Sequence, residues 1–521
     1  KFGVHSLTAT LLAEYQRQKN TGFWTLVKGF SNNDFGYDNL SAGSFHPYGG
    51  TGSDFEEPAL ASFMGSISYQ LLDRYTLTLT TRADGSSMIA KNNRWGVFPS
   101  ISADWDISKE PWFVNLPQSP LKPSTFKLRT GYGISGNLGG ISPYNSLQRF
   151  LPLGVVSIDN TPVVTLSILR NQNKDLKWET RSSFNIGTDM GFLNNRIALT
   201  FDVYWRNNFD LIGQAFTQGA GGTISKYANV ADMKSRGVDL GLSTVNIQNT
   251  RFRWTSDLIY STAKNEITNL KTDGRAVDLV TGTGYGVEGY PVRALFSYEF
   301  AGLNNEGLPM VINEKGVKTV GDVNFQETEN LDGFLVYEGP TDPTWYGSFN
   351  NSFQYTFPKA GKINLDVFIT YSGGNVVRLD PVFSSAYSDL SALPREFKNR
   401  WMVPGDETVT DIPAIASVNQ RDRIGSYTLS TAYNAYNYST ARIAKGNFIR
   451  LKEVALTYTL PQQLVAKTRF LSSASLKLAA TNICLLYADD KLNGQDPEFI
   501  NSGGVASPIS KQLTATLRLG F

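Results

Sequence analysis

Cysteine is almost absent. Cys484 is the only one in 521 residues, so no intrachain disulfide can form. Histidine is nearly as scarce, His5 and His46 alone, which argues against a histidine-based metal or catalytic site. No stretch approaches the roughly 18 uninterrupted apolar residues of a membrane helix. That excludes a helical membrane protein but not a barrel, whose strands alternate polar and apolar side chains. An excess of one charge is missing too. The 48 Lys and Arg against 46 Asp and Glu leave +2, so there is no electrostatic case for nucleic acid. Residues 1–5 carry no basic n-region, apolar h-region or cleavage site. Residues 6–15 already alternate, as expected of a fragment of a longer polypeptide. Catalytic patterns are missing as well: no Ser-His-Asp set, metal-ligand cluster or phosphate-cradling loop stands out, and no enzyme is expected. Gly282-Thr283-Gly284-Tyr285-Gly286 lacks a following Lys-Ser/Thr and a strand-loop-helix context, so it is expected to be a flexible loop.

What is present is turn chemistry and aromatic residues: 47 Gly, 24 Tyr and 31 Phe. Both suit a turn-rich β-protein with interfacial girdles. The last segment organises the rest. Leu513, Ala515, Leu517, Leu519 and Phe521 fall on one face, and Gln512, Thr514, Thr516, Arg518 and Gly520 on the other. Successive strand side chains point to opposite faces, so this is a strand with one apolar and one wet side. It has about the length that crosses a bilayer as a tilted strand. Its aromatic last residue resembles the terminal signature of bacterial outer-membrane β-barrels, whose last strand is read by the assembly machinery. The same alternation recurs at residues 61–71, 75–79, 97–107, 126–134, 184–192, 197–205, 238–242, 252–260, 345–355, 363–371, 451–460 and 476–482. A further pair, residues 294–303 and 308–312, flanks Gly307.

The connections alternate short and long. Short ones fall near Asp73, Asn194, Gln248, Asn305 and Pro358, with a longer one at residues 461–472. Between them lie residues 18–58, 136–179, 207–235, 265–291, 316–343, 373–446 and 485–508. Structureless loops of that length are uncommon in compact soluble domains. They are expected of a membrane barrel with short periplasmic turns and long extracellular loops. A propeller would repeat at about 40–50 residues, and no such self-similarity is found. A sandwich would show turn signals every 8–12 residues or so. The expected fold is therefore all-β: a transmembrane antiparallel β-barrel of about sixteen strands.

Several stretches resemble the SusC/RagA family of TonB-dependent outer-membrane transporters. The clearest is Asn173-Lys174-Asp175-Leu176-Lys177-Trp178-Glu179-Thr180, followed by Asn185-Ile186-Gly187-Thr188-Asp189. The family pattern is close to N-P-D-L-K-W-E-T, then N-hydrophobic-G-x-D, with Lys174 in place of the usual proline. Further matches in the family's order are Asn93-Arg94-Trp95-Gly96-Val97-Phe98-Pro99-Ser100, Ser235-Arg236-Gly237-Val238-Asp239-Leu240 and Gly289-Tyr290-Pro291-Val292. Arg400-Trp401 with Pro404-Gly405-Asp406-Glu407, Phe448-Ile449-Arg450-Leu451-Lys452, Tyr458-Thr459-Leu460-Pro461 and Ala480-Thr481-Asn482-Ile483 follow. The resemblance implies a barrel of about twenty-two strands with an amino-terminal plug. Residues 1–521 carry no plausible plug, so they are expected to form the carboxy-terminal part of such a barrel. Many relatives carry a calcium-loop-like run near Gly321-Asp322-Val323. Residues 324–333 keep acids but lack the D-x-D-G spacing of an oxygen-ligand cage, so no cofactor is expected and calcium is not supported. Residues 489–494 read as turn chemistry instead.

The implied function is TonB-energised import of oligosaccharides or oligopeptides. The implied partners are a SusD-like surface lipoprotein lid, TonB acting through a plug-bearing segment, and outer-membrane lipid. A passive outer-membrane porin or adhesin barrel is the alternative. Aromatics on the long loops could stack on sugar rings or pack on peptide side chains: Trp24, Phe35, Tyr37, Tyr285, Tyr427, Tyr433, Tyr436 and Tyr438. Trp205, Trp254, Trp345 and Tyr355 sit in the apolar register, where girdle contact is expected. Arg253, Asp257, Asp366 and Arg450 are expected to face a polar interior as a structural network.

Overall fold

The structure is a computed structural model that describes residues 3–27, 51–117, 119–141, 149–159, 161–216, 225–272, 274–387, 393, 395–468, 470–500 and 510–521. Fourteen strands form one antiparallel sheet in which every strand pairs with its neighbours in sequence. They are β1 (His5–Arg17), β2 (Ala59–Leu71), β3 (Tyr75–Ser86), β4 (Trp95–Asp106), β5 (Thr125–Asn137), β6 (Glu179–Phe192) and β7 (Ile197–Phe216). Then come β8 (Ser225–Gln248), β9 (Phe252–Leu270), β10 (Trp345–Phe357), β11 (Gly361–Gly373), β12 (Phe448–Thr459), β13 (Ser473–Ala488) and β14 (Gln512–Gly520). The sheet is a barrel wall that does not close: among the described residues, β1 and β14 each pair on one side only.

Period-two patterning sets the faces. Phe201, Val203 and Trp205 of β7 point one way with Phe184 and Ile186 of β6, while Thr200, Asp202 and Tyr204 point the other. The register carries this division across the wall. On β14, Leu513, Ala515, Leu517 and Leu519 lie opposite Ala480, Leu478, Leu476 and Ala474 of β13, on the apolar outer face. Stacked aromatic pairs mark that face near both rims: Phe63 with Trp95, Phe184 with Trp205, Tyr75 with Trp105, and Trp254 with Phe353. Amphipathic rings belong at the two membrane–water interfaces. At one of these, Glu110 accepts from Arg74 at 2.8 Å, from Trp105 Nε1 at 3.0 Å and from the Tyr75 hydroxyl, tying the girdle to the rim.

All short connections gather on one rim. Leu72 and Asp73, and Leu193, Asn194 and Asn195, have positive φ, as tight hairpin turns require. The longest connections gather on the other rim, while the β4–β5 connection, residues 107–124, lies with the short turns.

The structure departs from the expected count. The turn near Asn305 does not join two wall strands. Residues Phe300–Leu303 and Pro309–Ile312 form a small hairpin, extended by Lys318–Thr319, inside a single long β9–β10 connection. Strands of four residues cannot cross a bilayer, which takes about 9–11. Of residues 207–235, expected as a loop, 207–216 and 225–235 instead prolong β7 and β8, with bulges at Asn208/Leu211 and Leu211/Ile212. The long connections also carry helices: α1 (Val418–Ile424) and α2 (Ser426–Asn437) lie between β11 and β12. A Ser417–Gln420 capping box opens α1, and the left-handed Gly425 separates it from α2.

Candidate functional site

The inner face of the wall is polar and self-satisfied. Ser66 bonds Thr80 at 2.8 Å, Ser68 bonds Thr78 at 3.0 Å, and Lys477 pairs with Glu453 at 2.9 Å. The Arg129 guanidinium bridges Asp189 at 2.8 Å and Asp202 at 3.0 Å. Gly187 sits between β5 and β7 at this point, and a Cβ there would fall on the Asp202 carboxylate. The glycine and aspartate of the N-hydrophobic-G-x-D stretch thus have one purpose: the first makes room for an ion triad and the second completes it. Gly237 of β8 does likewise for the inward-facing Tyr204, whose ring lies 3.9 Å from the Arg206 guanidinium. Asp257 accepts from Ser243 at 2.7 Å, and Asp366 from Asn364 at 2.6 Å. These two expected lumenal residues join side-chain networks as expected.

At the long-loop rim the resembling stretches lock onto each other. Trp178 Nε1 donates to the Arg94 carbonyl at 3.0 Å, and Asn93 Nδ2 donates to the Asp175 carbonyl at 3.1 Å. Asn173 Nδ2 reaches the Tyr227 carbonyl at 2.7 Å. Glu179 accepts from Asn137 at 2.7 Å and from the Ile212 amide at 2.8 Å. Leu176 and Trp178 are buried with Ile89, Phe98 and Ile141. Residues of two resembling stretches thus tie the β3–β4 connection to the β5–β6 connection, and the latter to β5, β7 and β8. A second lock lies at the far side: Arg450, facing inward from β12, holds Asp496 at 2.6 Å and Glu498 at 2.7 Å, both from the β13–β14 connection.

The β9–β10 and β11–β12 connections fold together into a platform. One apolar cluster joins Leu279, Val280, Phe296, Tyr298 and Leu335 to Ala435 of α2. A second joins Leu308 to Phe383, Phe397, Leu429, Tyr433 and Tyr436. Two buried arginines brace the platform, Arg378 between the two connections and Arg442 within the second. Arg378 donates to the Phe296 carbonyl at 2.7 Å and Ser297 Oγ at 2.9 Å on one connection, and to the Asn437 and Ser439 carbonyls at 3.4 and 3.2 Å on the other. Burial pushes Arg378 down to about 9, which leaves it protonated at neutral pH. Arg442 pairs with Glu396 at 2.6 Å and donates to the Asp380 carbonyl at 3.3 Å. Burial pushes the Glu338 carboxyl up, and its Oε1 has no partner among the described residues. Burial likewise raises the hydroxyls of Tyr298, Tyr433 and Tyr436.

The aromatic loop residues divide accordingly. Tyr433 and Tyr436 are 1% and 2% exposed, so they pack the platform interior and present no ring to a ligand. Tyr427, 86% exposed, projects from the same helix. Trp24, 51% exposed, lies in the hairpin of Asn20–Thr25 with Thr51–Glu56. Tyr285 pairs its backbone with Ala294, and Tyr438 packs on the first cluster, both half-buried. Phe35 and Tyr37 lie outside the described residues. The glycine stretch at 282–286 contains a turn in which the Gly284 amide donates to the Thr281 carbonyl at 3.2 Å. Glu327 accepts the amides of Thr328 and Glu329, and Asp489 those of Lys445 and Lys491. Among the described residues no three His, Cys, Asp or Glu side chains gather where one ion could sit. The buried arginine pair was not anticipated; Arg442, just after the tyrosine-rich helix, was the available signal for one member, and Arg378 carried none.

Comparison with known proteins agrees with this architecture. The family described as TonB dependent receptor-like, beta-barrel matches residues 2–436. TonB-dependent receptor P3 of Formosa agariphila is 27% identical over 95% of this chain and 47% of its own length. TonB-dependent receptor SusC of Bacteroides thetaiotaomicron is 27% identical over 89% of this chain and 43% of its own. The RagAB peptide transporter structure superposes with a TM-score of 0.77 at 25% identity, over 99% of this chain and 53% of that one. The chain therefore spans about half the length of the relatives it matches.

Proposed function

The chain belongs to the TonB-dependent receptor β-barrel family of the outer membrane, and on that premise we propose that it is the carboxy-terminal wall of a SusC-like importer. The cargo is oligosaccharide or oligopeptide, trapped beneath a SusD-like surface lipoprotein and released inward when TonB pulls a plug-bearing segment. One observation carries the reading: the stretches shared with the SusC/RagA class are the ones that lock the long-loop rim, Asn93–Arg94 against Asp175–Trp178. A rim held rigid on that side suits a barrel whose mouth is opened and shut by a separate lid. No step requires covalent chemistry. Of the candidate loop aromatics among the described residues, Tyr427 and Trp24 have the exposed rings that could meet cargo. Strand β14, with Leu513, Ala515, Leu517, Leu519 and Phe521 on its outer side, serves as the strand recognised during insertion.

The test is native mass spectrometry of the detergent-extracted outer-membrane complex, with uptake measured in cells with and without TonB. Co-purification of a surface lipoprotein, a plug-bearing segment and a small cargo, with uptake lost without TonB, is the expected result. A lone chain that conducts passively in planar bilayers would replace the importer with a porin.

A further inference from the structure

One side chain of the 235–240 stretch has no part in the contacts described so far. Gly237 clears space for Tyr204 on the inner face, and Arg236, its neighbour on β8, falls on the outer face. The register sets Arg236 in one row across four strands: Phe184 of β6, Trp205 of β7, Arg236 and Lys264 of β9. The next row toward the long-loop rim holds Ser182, Asn207, Lys234 and Glu266. The row on the other side is apolar but for one threonine: Ile186, Val203, Val238 and Thr262, with Trp345 of β10 beyond.

Two exposed cations therefore oppose each other on neighbouring strands. Directly opposed side chains have Cβ atoms about 4.5–5.5 Å apart, and like charges placed so are destabilising. Glu266 is the one acid in these rows, and Lys234 already holds it at 2.8 Å. Among the described residues, neither Arg236 nor Lys264 makes a side-chain hydrogen bond or ion pair. Strand length places the pair in the membrane. Trp205 is the ninth residue of β7 counted from Ile197, next to a short turn, and about 9–11 residues of tilted strand cross the bilayer. Arg236 thus stands where the apolar wall ends, beside the Phe184–Trp205 stack. Such aromatic girdles mark the headgroup level.

We propose that Arg236 and Lys264 hold the phosphate of a phosphorylated lipid of the outer leaflet, whose acyl chains lie on Val203, Val238 and Thr262. The leaflet follows from the long connections, which are extracellular in such barrels. A phosphate between the two cations replaces their repulsion with two attractions. The planar Arg236 fork can bond two of its oxygens, and the Lys264 ammonium adds a point charge. The apolar row directly beneath favours a lipid over a soluble anion. The site goes beyond the importer reading, since it requires only that this face of the wall meet the membrane.

The test uses the delipidated full-length complex in neutral detergent, with lipid binding counted by native mass spectrometry and melting temperature measured in parallel. The probes are monophosphoryl lipid A, the same lipid with its phosphate removed enzymatically, and inorganic phosphate. Wild type should prefer the phosphorylated lipid. Each interfacial cation contributes roughly fivefold in affinity for anionic lipid, so Arg236→Gln or Lys264→Gln should weaken binding about fivefold and the double variant about 25-fold. Arg236→Lys should keep most of it. Lys359→Gln with Lys467→Gln, two cations of the short-turn rim, should leave the preference unchanged. Stability should reverse sign. Without lipid, Lys264→Gln should melt at or above wild type, because the opposed charges are gone. With monophosphoryl lipid A, wild type should melt higher. Equal binding of the two lipids, full preference in the double variant, an equal loss in the short-turn pair, or the same melting gain from inorganic phosphate would overturn the site. The importer reading is untouched by any of these outcomes and is decided by uptake with and without TonB.

Discussion

Trp178 illustrates what single residues do in this wall. Its ring packs edge-on against Phe98 at 5.6 Å between centroids, and its Nε1 satisfies the Arg94 carbonyl. Trp178→Ala removes a large buried ring and orphans that carbonyl, so a loss of about 3–5 kcal/mol is expected. Trp178→Phe keeps most of the packing and should lose less. Urea unfolding in detergent, followed by the heat-modified gel mobility of the barrel, would rank the two; equal losses would mean that the indole hydrogen bond and not the ring packing carries the contact. Glu338 makes a different prediction. Its folded carboxyl holds the proton more tightly than the unfolded chain does, because burial penalises the charged form. Stability therefore falls as pH rises from about 4.5 through the raised value, and the penalty is fully present above it. Glu338→Gln should flatten that slope and be at least as stable as the wild type at neutral pH. Thermal melts across pH 4–8 or so would check it. The interior placement of Tyr433 and Tyr436 was not legible from residue type: a tyrosine on a loop helix reads the same whether it faces water or its own core.

At the scale of elements, alternation did most of the work. A strand between lipid and a wet lumen must change polarity at every residue, so period two survives in the sequence. Ala515 and Thr516 are neighbours on β14 at the same depth, and the pairing places them on opposite faces, opposite Leu478 and Lys477. Ala515→Arg should cost about 2–4 kcal/mol near the bilayer midplane, and Thr516→Arg close to nothing. The yield of heat-modifiable barrel in outer-membrane fractions would show the difference, and equal yields would contradict the assignment of faces. The same alternation misled around Gly307. Residues 300–312 alternate because a hairpin half-buried in the platform obeys the same rule as a strand half-buried in lipid. Length was the discriminating signal, since four residues do not span a bilayer.

At the scale of the molecule, two connections separated by β10 and β11 fold as one body. Ala435 of α2, fully buried, packs with Phe296, Tyr298 and Leu335 of the other connection. Ala435→Phe overfills that junction, at an expected cost of about 1–3 kcal/mol. Limited proteolysis should then open residues 271–344 and 374–447 together, with the barrel intact. Cleavage in only one of them would show that the platform is two independent parts.

The amino-acid sequence alone determined the all-β class, the faces of β14, the girdle register and the alternation of short and long connections. Each follows from local constraints: side-chain period, turn residues and the polarity of what lies on either side of a strand. The Asn173–Thr180 and Asn185–Asp189 stretches were visible as a family resemblance, but their physical role was not. Only the tertiary structure decided that Trp178 meets Arg94, that Gly187 clears space for Arg129 and Asp202, and that Arg378 ties two loops together. It alone assigned residues 300–312 to the platform. These are contacts between segments far apart in the chain. Their partners are selected by the summed burial and hydrogen bonding of the folded state, which leaves no periodic trace in the sequence.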